Sequence, residues 1–275
     1  MGIEIRQFRG GDGGRLIQSN RGATPLYDSD MKTIGLIGGM SWQSSALYYR
    51  LINEETARRL GGYHNTRSLM STIDFADVER LQHEGRWKEL GAMLANAAKR
   101  LEHGGADFLL LCTNTMHKEA EAIERAVRIP FLHIVDATAA VIRTAGQKRV
   151  GLLGTRFTME EPFYSSRLQD KFEIETVVPS ATSRQLIHEV IYRELCRGVI
   201  LQESREQFQG IIRELAAAGA EAIILGCTEI ELLISQADSH LPAYASTSIH
   251  AGWSRAPGER VFEGYAIVAA NARAA

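Results

Sequence analysis

From Met31 onward, short apolar runs alternate with longer segments in which apolar residues recur every three or four positions. In the first half, the runs predict strands at TIGLIG (33–38), RSLMSTI (67–73), DFLLLC (107–112) and IPFLHI (129–134). Helical periodicity separates them at residues 44–60, 85–105 and 116–127. Strands that alternate with helices are typical of right-handed βαβ crossovers in a mostly parallel sheet.

The second half of the chain repeats this pattern. The segment KRVGLLGTRFTMEEPFYSSRL (148–168) matches KTIGLIGGMSWQSSALYYRL (32–51), and residues 211–234 match residues 97–123. The repeat predicts an α/β fold with two pseudo-symmetric lobes. Each lobe is expected to be a mostly parallel sheet flanked by helices, with the active site between the lobes. We assign residues 31–145 and 250–275 to the first lobe, and residues 146–249 to the second.

Residues 1–30 differ from the rest of the chain, because they are rich in glycine, arginine and polar residues and show no apolar period. The apolar central region that a signal peptide requires is missing from them. We therefore predict that this segment is a disordered, non-native leader, and the fold prediction starts at residue 31.

Composition and charge narrow the function. The chain of 275 residues has a formal charge of -2, so no global basic field attracts nucleic acid or an anionic membrane. No apolar run approaches the roughly 18 residues of a membrane helix. Three cysteines without a short-spaced pair indicate reduced thiols and a cytoplasmic location. The motifs CxxC, HExxH and GxGxxG are absent from the sequence, so we predict neither a metal nor a cofactor.

The third predicted strand and its counterpart in the repeat end in similar residues, LLLCTNT (109–115) and IILGCTE (223–229). Counting eight residues from the glycine that ends each preceding helix aligns Thr113 with Cys227. Cys112 is therefore one position early, and one position on a strand directs a side chain to the opposite face. The two cysteines are not equivalent in this register.

The position after each strand suits acid–base chemistry. The next residues, Asn114–Thr115 and Thr228–Glu229, precede helical segments whose backbone N–H groups favour an anion. A thiol at a helix N-terminus has a lowered pKa, so we expect Cys227 to ionise readily. A carboxylate held there would bring the Cα of an amino acid close to the thiol, which favours proton abstraction. The simpler alternative is that GCTE only packs a small residue at a crowded strand end.

Five motifs between about Lys32 and Ala251 carry a resemblance to a known family: IGLIGGMSWQSSALYY, CTNTMH, GLLGTRFTMEEPFY, GAEAIILGCTEI and STSIHA. They resemble the cofactor-independent aspartate/glutamate racemases, in the L-aspartate/glutamate-specific type. The resemblance implies two α/β lobes with the site between them, no pyridoxal phosphate and no metal. It also implies an acidic amino acid as substrate and a homodimer.

Members of that family use two cysteines, one per lobe, on opposite faces of the substrate Cα. By resemblance, Thr113 takes the position of the first-lobe cysteine and Cys227 that of the second. The substrate-binding positions fall on Met40, Gln43, Asn114, Thr115, Thr158 and Thr228.

Thr113 departs from the family pattern, and a hydroxyl is a poor general base. In the family the second-lobe cysteine acts on the L face, so the resemblance implies that Cys227 deprotonates an L-amino acid, while Thr113 donates or relays a proton to the other face. An alternative is that the loop twists and brings Cys112 into the first-lobe position. Two other functions fit the same fold: a single-cysteine decarboxylase of malonate-type acids, and an amino-acid-binding protein without catalytic activity.

The acidic side chain of the substrate requires a cation, and Arg67 is our candidate, with Arg58 and Arg59 as rivals. We expect Tyr49 and Tyr164 to be core residues at the first helix of each half.

Cys196, on a predicted helix, is expected to be buried filler. The C-terminus departs from the family pattern as well, because Ala245 stands where the family usually has an aspartate. Pro257 and Gly258 would interrupt a closing helix. His250 is expected either to orient the site or to be structural.

Overall fold

The computed structural model describes residues 32–252, and the predictions for the leader and for the segment with Pro257 and Gly258 lie outside them. Eight strands are described: β1 Thr33–Gly38, β2 Arg67–Thr72, β3 Phe108–Leu111, β4 Phe131–Leu132, β5 Arg149–Gly154, β6 Glu175–Val177, β7 Ala222–Gly226 and β8 Ala243–Ala245. They form two four-stranded parallel sheets with the orders β2-β1-β3-β4 and β6-β5-β7-β8. The identical order confirms the predicted α/β fold of two equivalent lobes.

The helices of the first sheet are α1 Trp42–Leu60, α2 Phe75–His83, α3 Trp87–His103 and α4 Ala120–Glu124, preceded by a 3-10 turn at Thr115–Glu119. After β4 come α5 Ile134–Thr144, α6 Arg156–Glu160, α7 Pro162–Phe172, α8 Ala181–Arg193, α9 Gln202–Ala217, α10 Ile230–Leu233 and α11 Ser246–His250. Two further 3-10 turns lie at Leu195–Arg197 and Gln236–Asp238.

The fourth predicted strand, 129–134, is shorter than expected. Only Phe131–Leu132 pair with β3, because His133 caps the next helix and accepts a hydrogen bond from the Val135 N–H on its side chain. The apolar run therefore contains the end of a strand and the start of a helix, which an apolar pattern alone does not separate.

The strand registers reproduce the register of the repeat. β1 pairs with β3 so that Ile37 lies opposite Leu111, and β5 pairs with β7 so that Leu153 lies opposite Leu225. Ile37 and Leu153 are equivalent, since each precedes the last glycine of its strand. Two residues beyond Leu111 and Leu225 come Thr113 and Cys227, as the glycine count predicts.

Helix α5 packs on the second sheet, although the sequence prediction assigned residues 31–145 to the first lobe. Ile134, Val135, Ala139 and Ile142 form one buried cluster with side chains of β5 and β7, among them Leu152 and Ile224. The lobe boundary by packing therefore lies near His133 rather than near residue 145. Ala251, directly after α11, packs with Leu36 and Tyr48 of the first lobe.

Of the two tyrosines predicted as core residues, Tyr164 is fully buried but Tyr49 is 51% exposed. The buried tyrosine of α1 is its neighbour Tyr48. Residues 100° apart on a helix face different directions, so an error of one position exchanges the core face for solvent.

The loop from β1 to α1 is held close to β2. Ile73 N donates a backbone hydrogen bond to Gly38 O at 2.9 Å, and Gly39 adopts φ 98°. A Cβ on Gly39 would lie 2.0 Å from Ile73 O, so only glycine fits. Ser41 then caps α1 by accepting from Ser44 N, which fixes the first residues beyond the strand.

Candidate active site

A pocket lies at the carboxyl ends of the strands, where both lobes contribute residues. Six of the nine predicted site residues line it: Met40, Thr113, Asn114, Thr115, Cys227 and Thr228. Ten further residues complete the wall: Ser41, Phe75, Gln82, Met116, Thr155, Ile191, Tyr192, Cys196, Gly226 and Glu229. Open α/β sheets place ligands at this edge, and here two such edges enclose one pocket.

Thr113 and Cys227 come to this pocket from opposite lobes, on the loops that follow β3 and β7. Cys112 does not line it, but is fully buried with Leu36 and Tyr48 on the other face of the first sheet. Burial raises the pKa of the Cys112 thiol, and no charged neighbour opposes that effect. The geometry therefore argues against the alternative in which Cys112 replaces Thr113.

Cys227 has a carboxylate as its hydrogen-bond partner. Its Sγ donates to Glu229 Oε2 at 3.0 Å, and Ser41 Oγ donates to the other oxygen, Oε1, at 2.7 Å. The Glu229 carboxylate thus joins the thiol of the second lobe to the first lobe. Ser41 and Glu229 are both buried, so this contact is shielded from solvent.

The pKa of the Cys227 thiol is raised well above its ordinary value, first by burial and then by the negative charge of Glu229. This corrects the expectation of a lowered pKa. The helix that follows, α10, spans only Ile230–Leu233, so its dipole is small. In the resting site Cys227 is therefore a neutral thiol that donates to a carboxylate.

Hydroxyl groups from both lobes meet behind the loop after β3. Thr115 Oγ1 shares hydrogen bonds with Thr155 Oγ1 at 2.9 Å and with Thr158 Oγ1 at 3.3 Å. Thr158 is fully buried and supports Thr115 without lining the pocket itself. On the other side, Thr247 Oγ1 donates to Thr228 Oγ1 at 3.3 Å.

Asn114 offers an uncommitted donor. Its Oδ1 lies 3.2 Å from Ser246 Oγ, whose single proton also has the Leu225 carbonyl as an acceptor at 2.7 Å, whereas its Nδ2 has no hydrogen-bond partner among the residues that the structure describes. The side chain is 3% exposed and lines the pocket. Buried donors are nearly always satisfied, so this amide is available to a ligand acceptor such as a carboxylate.

Gln43 lies at the boundary between the lobes rather than in the pocket. Its Nε2 donates to the Cys196 carbonyl at 3.2 Å, which ties α1 to the 3-10 turn Leu195–Arg197. Cys196 itself lines the pocket, so the expectation of buried filler is wrong. Burial raises the pKa of its thiol to about 12, so Cys196 contributes a neutral, polarisable group to the pocket wall.

Arg67 lies at the wrong end of the sheet for a substrate contact. It pairs with Thr33 at the start of β1 and β2, whereas the pocket lies beyond the ends of the strands. Six residues of strand span roughly 17 Å. The rivals Arg58 and Arg59 both bind Glu55 near the end of α1, and neither lines the pocket. The predicted cation for an acidic side chain is therefore not at this site.

Two buried histidines hold the backbone next to the site. His117 Nδ1–H donates to Thr113 O at 2.8 Å, and its Nε2 accepts from Ile134 N at 3.2 Å. His250 Nε2–H donates to Leu132 O at 2.8 Å, and its Nδ1 accepts from Tyr48 at 2.7 Å. Both rings make bonds that require the neutral form. Burial lowers the pKa of His117 well below its usual value and that of His250 to about 4.

Four residues at the site lie outside the predicted set: Ser41, Gln82, Tyr192 and Glu229. Glu229 has a sequence signal, since it is an acid two residues from the predicted base, but its position also suits the start of a helix. The other three reach the site through tertiary packing of α1, α2 and α8, for which the sequence has no local signal.

Comparisons with known proteins agree with this geometry. A family model described as Asp/Glu/Hydantoin racemase matches residues 37–252. The solved structure of an Asp/Glu racemase candidate from Yersinia pestis is 47% identical, with a TM-score of 0.76, and the match covers 80% of this chain and 96% of that one. An aspartate racemase homologue from Pyrococcus horikoshii is 34% identical, with a TM-score of 0.69 and coverages of 81% and 96%. The broad specificity amino-acid racemase of Bacillus subtilis is 28% identical over 220 residues, 78% of this chain and 93% of the relative. No helix within residues 32–252 combines the length and apolar character needed to cross a membrane.

Proposed function

The chain belongs to the Asp/Glu/Hydantoin racemase family, and we propose that it racemises an amino acid by proton transfer at Cα between Cys227 and Thr113. One observation carries the proposal: these two residues, equivalent in the repeat, approach one pocket from opposite lobes. Relatives named amino-acid and glutamate racemases support the reaction class.

The substrate carboxylate has donors at both strand ends. Asn114 Nδ2 is unsatisfied among the described residues, and Thr115 and Thr228, one from each lobe, line the same pocket. A carboxylate held there would place Cα between Thr113 and Cys227. The same donors would stabilise the additional charge that the carboxylate gains when the Cα proton leaves.

Proton transfer begins at Glu229 in this proposal. The Glu229 carboxylate takes the thiol proton of Cys227 along the 3.0 Å hydrogen bond, which leaves a thiolate next to the substrate. The thiolate removes the Cα proton of the L-enantiomer, and the electron pair moves into an enediolate. The hydroxyl of Thr113 supplies a proton to the opposite face of Cα. Solvent then carries the proton of Glu229 back to the Thr113 alkoxide, so protons and charge balance over one turnover.

The asymmetric pair predicts that L-amino acids exchange their Cα proton faster than D-amino acids, because a hydroxyl is the weaker base. The equilibrium between the free enantiomers stays near unity, since a catalyst does not change it. The preference for aspartate or glutamate is what the resemblance implies, and it is weighed against the pocket below. Independence from pyridoxal phosphate, the homodimer and the cytoplasmic location stay predictions.

Proton NMR in deuterated water tests the proposal on L- and D-aspartate, glutamate, glutamine and alanine, by loss of the Cα–H signal. We expect exchange with the parent protein and none with Cys227→Ala. Cys112→Ala is the matched control, and its exchange rate should stay close to that of the parent. Exchange that survives in Cys227→Ala would contradict the assignment of the base.

The same samples distinguish the two other functions of this fold. Release of carbon dioxide from malonate-type acids without Cα exchange would indicate the single-cysteine decarboxylase. Binding of an amino acid without exchange would indicate a binding protein.

A further inference from the structure

The end of the pocket away from the strand termini determines which side chain the substrate can carry, if the proposed function holds. In the proposed function, the loops after β3 and β7 contact the Cα and the carboxylate of the substrate. The remaining wall comes from α2, α8 and the 3-10 turn after α8, with Phe75, Gln82, Ile191, Tyr192 and Cys196. A substrate side chain therefore points towards these five residues.

Within the described part of the chain, this end of the pocket has no positively charged side chain. Of the residues that line the pocket within the described range 32–252, none is a lysine, arginine or histidine. Glu229 is the one carboxylic acid among the described residues that line the pocket, and it is buried beside Cys227 in the loop after β7. Arg197, next to Cys196, is exposed and does not line the pocket. A second carboxylate would lose its hydration here, with no cation on the wall and an acid nearby.

The wall does offer a neutral hydrogen-bonding group. Gln82 is 4% exposed, and its Nε2 donates to the Met116 sulfur at 3.1 Å, which is a weak acceptor. Its Oε1 accepts from Tyr192 across the lobes at 3.5 Å, the outer limit of a hydrogen bond. Both ends of this buried amide are thus committed to weak partners, which a ligand with a better donor or acceptor can replace.

We propose that the pocket accepts an amino acid with an uncharged polar side chain, a carboxamide or a hydroxyl, and that Gln82 and Tyr192 determine this specificity. Site and reaction are those proposed above, and only the substrate class is new. Aspartate and glutamate have the right shape but bring a charge that the wall does not neutralise.

Asparagine and glutamine provide a sharp test, because each matches its acid in size and shape and differs in charge. The kcat/KM for Cα exchange in deuterated water is measured for the pairs L-asparagine and L-aspartate, and L-glutamine and L-glutamate. We expect each amide to exceed its acid by about tenfold or more. An acid that exchanges as fast as its amide, or faster, would overturn the substrate class and leave the racemase standing. Exchange with none of the amino acids tested would overturn both.

Gln82→Met tests the residue assignment with little change in volume. The ratio of kcat/KM for L-glutamine over L-alanine should fall about fivefold or more, because the side chain loses its amide partner. Gln185→Met makes the same change on the exposed surface of α8 and should leave that ratio as in the parent. If the ratio of kcat/KM for L-glutamine over L-alanine is the same in Gln82→Met and in the parent, Gln82 does not determine the specificity.

Discussion

Replacing His250 by glutamine should make the protein markedly less sensitive to acid. The neutral ring joins α1 to β4, with one nitrogen on Leu132 O and the other on Tyr48. Burial lowers its pKa from 6.5 to about 4, so the unfolded chain binds a proton that the folded chain resists. Stability from this residue is present above pH 6.5 and is lost as the pH falls towards 4. One pKa unit corresponds to about 1.36 kcal/mol, so the stability that His250 loses over the whole transition is about 3 kcal/mol.

Glutamine has a donor and an acceptor for the same two partners but does not titrate. We expect the stability difference, parent minus His250→Gln, to fall by about 2 kcal/mol between pH 7 and pH 5. Urea unfolding at pH 4 to 7 measures it. Glu231 is partly exposed, and desolvation raises its pKa to about 7, so its contribution decreases as the pH rises. That opposite effect is common to both proteins and cancels in the difference. If the free energies of unfolding of the parent and of His250→Gln change equally between pH 7 and pH 5, the role of His250 is refuted.

Three further predictions concern the base, its pH dependence and the loop before α1. Glu229→Gln should lower Cα exchange of the L-enantiomer about 10²-fold or more while substrate still binds, because the thiol loses its proton acceptor; a rate within twofold of the parent would contradict this role. In the parent, kcat/KM should change by less than about twofold from pH 7 to pH 9, because the thiol proton passes to Glu229 and not to solvent, whereas in Glu229→Gln it should rise with pH, since burial raises the pKa of Cys227; a parent rate that rises about tenfold per pH unit would argue against the internal transfer. Gly39→Ala should lower the free energy of unfolding by more than about 2 kcal/mol, because the new Cβ meets Ile73 O. Gly146→Ala, also at positive φ but with open space around it, is the matched control and should cost about 1 kcal/mol in urea unfolding.

The fold was predictable from the sequence because the repeat doubles every signal. Apolar runs at residues 33–38 and 149–154 agree in length and glycine positions, and both became central strands. The register of Thr113 and Cys227 followed from glycine counting, because a strand has a fixed side-chain period. These features depend on local pattern and spacing.

The remaining parts of the site depend on distances between residues that are far apart in the sequence, and local patterns do not predict these distances. The position of Arg67 after a crossover helix suggests a substrate contact, but strand direction places it at the far end of the sheet. A helix dipole alone predicts a lowered pKa for the Cys227 thiol, but burial and the neighbouring Glu229 raise that pKa. Gln82 and Tyr192 meet across the lobes although 110 positions separate them.

The position of α5 means that neither half of this protein is a complete folding unit. A cut in the turn between α5 and β5, at the sequence boundary of the repeat, would leave α5 on the first fragment while the sheet that it covers belongs to the second. The second fragment would expose Leu152 and Ile224, and the first would carry an apolar helix without its partner surface. We expect the fragments to be insoluble when produced separately and to recover Cα exchange when produced together. A cut before α5, at His133, should yield a more soluble second half.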